Sequence, residues 1–281
     1  MHRRLQIQRI SGILVKILIL SGSHPRHQFI SNEVSKFGFE TFQIRMRREP
    51  LDVTPPIGIT AEDKINFIRH FYDRSMAELK SFGDGSSISK YLDSRIIEVS
   101  ADKLNSNLVV EHITKFKPNA CLIFGTKMIE KPLISSLPKN TFNLHLGLSP
   151  WYRGAATLFW PFYLLEPQFA GITIHKITEK PDAGSIYHQE IPVLAYGQGI
   201  HDVAIEAIKV SLEPLNKLFK ILCTNSELEG ILPSTTGRIW RNKDFRPEHL
   251  RLIYNEFNNT IVDRYLDGEL GSNLPKLISI L

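Results

Sequence analysis

Two polar residues interrupt the apolar stretch TFNLHLG, residues 141–147: an amide, Asn143, and an imidazole, His145. Residues two apart on a strand share one face, so these side chains project together. The stretch runs into the turn LSPWYRG, which carries Pro150, Tyr152 and Arg153 and ends at Gly154. An amide N–H suits an oxyanion, and an imidazole suits proton transfer near neutral pH. For the pair taken alone a plainer reading is open, in which a turn-proximal Asn and His satisfy local backbone groups.

Downstream, GITIHKITEKPDAGSIY sets His175 on a second strand and Asp182 in a tight turn before Ala-Gly. A carboxylate there can fold back to an imidazole on a neighbouring strand, orient the ring and raise its pKa. No Ser or Cys nucleophile accompanies the set. The attacking group would then belong to the substrate, which is the logic of acyl transfer onto an external amine or water. A metal site from His145, His175 and Asp182 is the chemical competitor. His175 reads equally as a supporting site residue or as a satisfied strand histidine.

These residues need elements to position them. VKILILSGS is a continuous apolar run of the kind buried on both faces of a parallel sheet. FISNEVSKFG follows as a helix closed by Gly38, then FETFQIRM as a strand and residues 47–58, with three prolines, as a loop. Thr60 caps a long amphipathic helix whose apolar stripe is Ile65, Ile68, Tyr72, Met76 and Leu79. RIIEVS, NACLIFGT and TFNLHLG read as further strands, separated by helices ending before Pro118 and Pro138. This alternation predicts an α/β fold with a doubly wound, mostly parallel sheet over about residues 14–150. An aromatic helix, AATLFWPFYLLE, and a strand pair joined across KPDA come next. A helix over about 201–224 then presents Ala204, Ile208, Leu212, Leu215, Phe219 and Leu222 on one face. The expected division is a basic leader over 1–12, a catalytic domain over 13–200 and a small, largely helical extension over 201–281.

The strand-one turn SGSHPRHQF holds neither G-x-G-x-x-G nor a P-loop. His24, Arg26 and His27 sit where a helix N-terminus favours anions, so they either face an anionic substrate or form a merely polar loop. The net charge of +5 is partly carried by two short clusters, at the N-terminus and at residues 45–49, and forces no nucleic-acid partner. Two cysteines, Cys121 and Cys223, without C-x-x-C support neither a disulfide framework nor a zinc ribbon, and a cytoplasmic setting is expected. Lys16 interrupts ISGILVKILILSG, which is too short to span a bilayer, and no membrane association is expected.

FNLHLGLSPWYRG followed by GITIHKITEKPDAGSIY resembles the folate-dependent formyltransferase family, and most of all its sugar N-formyltransferases. Asn143, His145, Gly147, Pro150, Tyr152, Arg153 and Gly154 match the family's first block, and Gly171, Thr173, His175, Asp182 and Gly184 its second. The resemblance implies a Rossmann-like formyltransferase fold, 10-formyltetrahydrofolate as donor and a primary amine as acceptor, with no metal. Asn143 and His145 would stabilise the oxyanion of the tetrahedral intermediate, His145 would pass protons, and Asp182 would position and polarise His145 or a catalytic water. Phe124, Gly125 and Met128 would line the folate loop, or else simply cap the sheet, with Arg153 and Gly154 also on the donor side. His24, Arg26, His27, Tyr152 and His175 would meet the acceptor. The departure of SGSHPRH from a Gly/Ser/Asn phosphate loop disfavours a glycinamide ribotide acceptor. An amino sugar, nucleotide-linked and destined for surface polysaccharide, leads. A methionyl-tRNA formyltransferase-like enzyme and a formyltetrahydrofolate hydrolase are the alternatives. A homodimer is compatible with all of these.

Overall fold

The computed structural model describes residues 9–10, 13–48, 54–84, 95–224 and 228–281. Apart from Arg9–Ile10 (β1), which pairs antiparallel with Ile13–Leu14 (β2), the basic leader lies outside the described residues.

The apolar run after the leader becomes Lys16–Gly22 (β3), buried on both faces at the centre of the main sheet. Pro25–Ser35 (α1) follows, with proline in the first turn where its missing N–H costs nothing. Then come Glu40–Met46 (β4), Ala61–Phe82 (α2), Arg95–Val99 (β5) and Asn107–Phe116 (α3). α3 ends on a left-handed Lys117 before Pro118. Ala120–Phe124 (β6), Lys131–Ser136 (α4) and Asn140–His145 (β7) complete the parallel part. Arg153–Gly154 (β8) and Trp160–Tyr163 (α5) lead to Ile172–Lys176 (β9) and Ile186–Glu190 (β10). Ile200–Val210 (α6), Leu212–Leu222 (α7), Ile239–Trp240 (β11) and Ile261–Leu266 (α8) close the chain.

The main sheet has the order β10-β9-β7-β6-β3-β4-β5. β5, β4, β3, β6 and β7 run parallel; β9 is antiparallel to both β7 and β10. This is the doubly wound, mostly parallel α/β sheet that the alternation predicts. Strand order reverses between β3 and β6, and such sheets bind ligands beyond the carboxyl ends of the strands at that point.

Two apolar layers flank the sheet. Side chains alternating along β3 divide between them: Ile17 and Ile19 join one, Leu18 and Leu20 the other. Each such fully buried aliphatic side chain contributes roughly 1.5–3 kcal/mol of burial free energy. The larger layer continues through Val203, Ala207 and Ile208 of α6 and Leu215, Leu218 and Phe219 of α7, then Trp240 and Ile253. One core therefore crosses the expected boundary at residue 200. Trp240 stacks on Trp160 at 4.0 Å, and β11 pairs parallel with β8, so the C-terminal segment is woven into the main body.

α2 forms where expected, capped by Thr60 Oγ1 accepting from Asp63 N–H at 3.2 Å, but it lies the other way round from its apolar stripe. Ile65, Ile68, Tyr72, Met76 and Leu79 are 42–66% exposed. The inward face instead carries Asp63, Asn66, Phe67, His70 and Glu78. That polar face is turned in because it finds partners there. Arg251 donates to both Asp63 oxygens at 2.6 Å, Asn66 donates to Asn255 at 2.6 Å, and His70 meets the Tyr254 hydroxyl at 2.9 Å. Among the described residues no helix is long and apolar enough to cross a membrane.

Candidate active site

The pairing of β7 with β9 brings the two sequence blocks together. Asn143 lies opposite His175 and His145 opposite Thr173 in antiparallel register. The turn after β9 then folds Asp182 back over both strands. Asp182 holds a left-handed backbone conformation (φ 45°), which aspartate tolerates better than most residues. The return of the chain needs Gly184, since a Cβ there would collide with the Lys176 carbonyl.

Around the Asp182 carboxylate the contacts close into a cluster. Oδ1 is 3.5 Å from His145 Nδ1, 3.3 Å from His175 Nε2 and 3.3 Å from Asn143 Nδ2, and Oδ2 accepts the Gly154 N–H at 2.8 Å. Asn143 Nδ2 is also 3.2 Å from His175 Nε2. The Asn143 amide nitrogen is thus within reach of both the Asp182 carboxylate, to which it donates, and the His175 ring.

His145 has a defined tautomer. Nε2 lies 2.8 Å from the Tyr152 carbonyl, which can only accept, so Nε2 carries the proton and Nδ1 presents a lone pair beside Asp182. Burial pulls the His145 pKa below the ordinary histidine value, against the opposing effects of Asp182 and the Tyr152 carbonyl. Burial also pushes the Asp182 carboxyl up, but the His145 and His175 imidazoles and the Gly154 N–H outweigh it. Asp182 therefore stays ionised well below the usual carboxylate range. The resting site is a neutral imidazole beside a fixed carboxylate, poised to accept a proton at Nδ1. Gly147 makes room for this ring: a Cβ there would lie 2.7 Å from His145 Nε2, Thr157 Cβ and the Tyr152 carbonyl.

The cluster forms one wall of a cavity of about 760 Å³, within the usual range for small-ligand sites. Asn143, His145, His175, Asp182 and Gly154 line it, as do Phe124, Gly125 and Met128 from the loop after β6. Phe124 is buried whereas Met128 is 63% exposed, so a ligand could cover it. Arg26 and His27 reach the cavity from α1. His27 is packed so closely against Gly22 and Gly125 that a Cβ on either would strike its ring, and its edge meets Phe124 at 4.9 Å. It is buried and neutral, its pKa driven well down by burial and by Arg26.

Three residues expected at the site do not line this cavity. His24 stacks on His27 at 5.4 Å. The Tyr152 hydroxyl donates to Glu166 at 3.0 Å. Arg153 donates to the carbonyls of Pro181 and Thr236, bracing the Asp182 turn against the C-terminal segment. Among the described residues no set of three or more His, Cys, Asp or Glu side chains is arranged to hold a metal ion.

Other lining residues were not anticipated from the sequence. Phe67, His70, Phe71 and Arg74 of α2, Arg48, His201, and Asn242 and Phe245 from the C-terminal segment all line the cavity. A signal was present: Asn66, His70, Arg74 and Glu78 recur every four residues along one face of α2.

Comparison with known proteins agrees with this architecture. The Formyl transferase family model matches residues 77–204. A segment of 160 residues, 56% of this chain, is 32% identical to the bifunctional polymyxin resistance protein ArnA of Wigglesworthia glossinidia brevipalpis. The match spans only about a fifth of that relative's length (22%). The fold is shared with an N-formyltransferase from Helicobacter canadensis solved with folinic acid and dTDP-3-aminofucose (TM-score 0.54, 14% identity, 83% of this chain and 73% of that one). It is shared equally with phosphoribosylglycinamide formyltransferase from Anaplasma phagocytophilum (TM-score 0.54, 13% identity, 82% and 99%).

Proposed function

We propose that this chain, which belongs to the folate-dependent formyltransferase family, transfers a formyl group from 10-formyltetrahydrofolate to the primary amine of an amino sugar, nucleotide-linked and bound for surface polysaccharide. The observation that carries this reading is the convergence of Asn143, His145 and Asp182 on one wall of a cavity whose next wall is the Phe124–Met128 loop. The Helicobacter canadensis protein, with folinic acid and an amino-sugar nucleotide bound, lends support from a chain of the same fold.

The donor fits what is present. Phe124 and the partly open Met128 offer an apolar surface for a flat ring, and the cavity is large enough for donor and acceptor groups to meet. Bound there, the donor supplies an activated formyl carbon. Asn143 lines the cavity, and its amide N–H would donate to the oxygen on which negative charge develops. His145 Nδ1 takes the proton released by the attacking amine, and the imidazolium so formed is stabilised by Asp182 at 3.5 Å. The Gly154 N–H and Arg153 act through Asp182: one fixes its second oxygen and the other braces its turn. Tyr152 acts through its carbonyl, which fixes the His145 tautomer.

Purified protein supplied with 10-formyltetrahydrofolate and a panel of amino-sugar nucleotides should release tetrahydrofolate and yield a formamide by mass spectrometry. Equal folate release without any amine would identify a hydrolase instead, and turnover confined to aminoacyl-tRNA would identify the tRNA-directed reading.

A further inference from the structure

We infer that Arg26, Arg48 and Arg74 form an anion subsite in the cavity that the catalytic cluster also lines, and that it takes the phosphate or pyrophosphate of the acceptor. The acceptor's identity rests on the formyl-transfer reading; the subsite itself rests on charge and geometry.

All three arginines line the cavity, brought there by α1, by the segment after β4 and by α2. One carboxylate answers them. Arg26 Nε and Arg74 Nε each donate to the same oxygen of the buried Glu78, Oε1, at 2.9 Å, while its Oε2 takes no hydrogen bond. Neither arginine makes the two-oxygen fork that would occupy it fully. Among the described residues no carboxylate pairs with Arg48, whose backbone N–H is held by Ser23 Oγ at 2.9 Å. Glu98, on the neighbouring β5, is taken by Arg45 and Arg47.

Among the described residues, three cations against the one carboxylate paired with them leave a formal excess of two positive charges in a partly dry cavity, which the negative charge of a ligand would offset. The neighbours respond to the positive field. Burial pulls Arg74 down to about 10, with Arg26 adding to the effect, so it is still charged at neutral pH. Burial together with Arg74 and Arg26 drives His201 down to about 3, and burial and His201 keep His70 neutral. The N-terminus of the eleven-residue α1, one residue before Arg26, contributes partial positive charge of the same sign. Planar multi-donor groups converging on two charges match a phosphomonoester or pyrophosphate better than a single carboxylate.

The test is calorimetric titration of the full chain with inorganic pyrophosphate and, separately, with folinic acid. Pyrophosphate should bind the wild type at least ten-fold more tightly than Arg48→Gln. Arg48→Lys should recover most of that loss, and folinic acid affinity should stay within two-fold throughout. Phenylglyoxal labelling of the wild type, read by peptide mass spectrometry, needs no variant: pyrophosphate should shield Arg48 and Arg74. Equal pyrophosphate affinity in wild type and Arg48→Gln, or no shielding, overturns the proposal. So does a ten-fold loss of folinic acid binding alone, which would assign the arginines to the donor's carboxylates. Wild type that binds pyrophosphate but not folinic acid would remove the formyl-transfer reading and leave the subsite standing.

Discussion

At the scale of residues, the site depends on one carboxylate with four near neighbours. Asp182 touches Asn143, His145, His175 and the Gly154 N–H together, so its loss should disturb more than charge. With His145 acting as base, the rate should fall at low pH as the ring protonates. Because burial lowers its pKa, the acid limb of kcat should lie below the value of about 6.5 expected for a free imidazole. Asp182→Asn removes the main influence raising that pKa, so the limb should move lower still while kcat drops by about 10²-fold or more. A limb unchanged in Asp182→Asn, read from a pH–rate profile, would separate Asp182 from His145. Asn143, His145 and Asp182 were legible in the sequence because strand periodicity and family-like spacing name them directly. That Tyr152 meets His145 through its carbonyl was not, since a backbone contact leaves no mark on side-chain type, nor was the bracing by Arg153, whose partners are main-chain carbonyls of distant segments.

At the scale of elements, α2 shows how far a pattern can mislead. Its existence, cap and length follow from sequence; the direction it faces does not. An apolar stripe ordinarily marks the buried side of a helix. Here the polar side is buried because Arg251, Asn255, Tyr254 and Arg26, distant in sequence, supply matching partners. The consequence can be measured by thermal unfolding. Ile65→Lys and Tyr72→Lys should leave Tm nearly unchanged, as surface changes usually do, within about 0.5 kcal/mol. Phe67→Ala, on the buried face, should cost about 3–5 kcal/mol and lower Tm clearly. The reverse ranking would mean that the helix faces the other way.

At the scale of the whole molecule, the polar interior ties stability to pH. His27, His70, His145 and His201 are held neutral with lowered pKa values, whereas the unfolded chain would protonate them near 6.5. The unfolded state therefore binds more protons below that pH, and stability must fall as pH drops. Asp182 and Glu78, both depressed, add a second loss once pH falls below about 4, the ordinary carboxyl range. Tm should accordingly decline from pH 6.5 downward and more steeply below 4; a Tm flat between pH 7 and 5 would show that these imidazoles protonate freely in the fold. The alternation of strands and helices foretold the sheet. The weaving of residues 201–281 into its core did not show, because Trp240 against Trp160 and β11 against β8 are contacts between distant segments.

The central claim is that formyl transfer to an amine runs through His145. It is tested most directly by the amine-dependent release of tetrahydrofolate from 10-formyltetrahydrofolate, with wild type and His145→Ala side by side and folinic acid affinity measured on both. The account predicts a loss of about 10²–10⁴-fold in kcat for His145→Ala with folinic acid affinity nearly unchanged. Turnover by His145→Ala close to that of the wild type would contradict it.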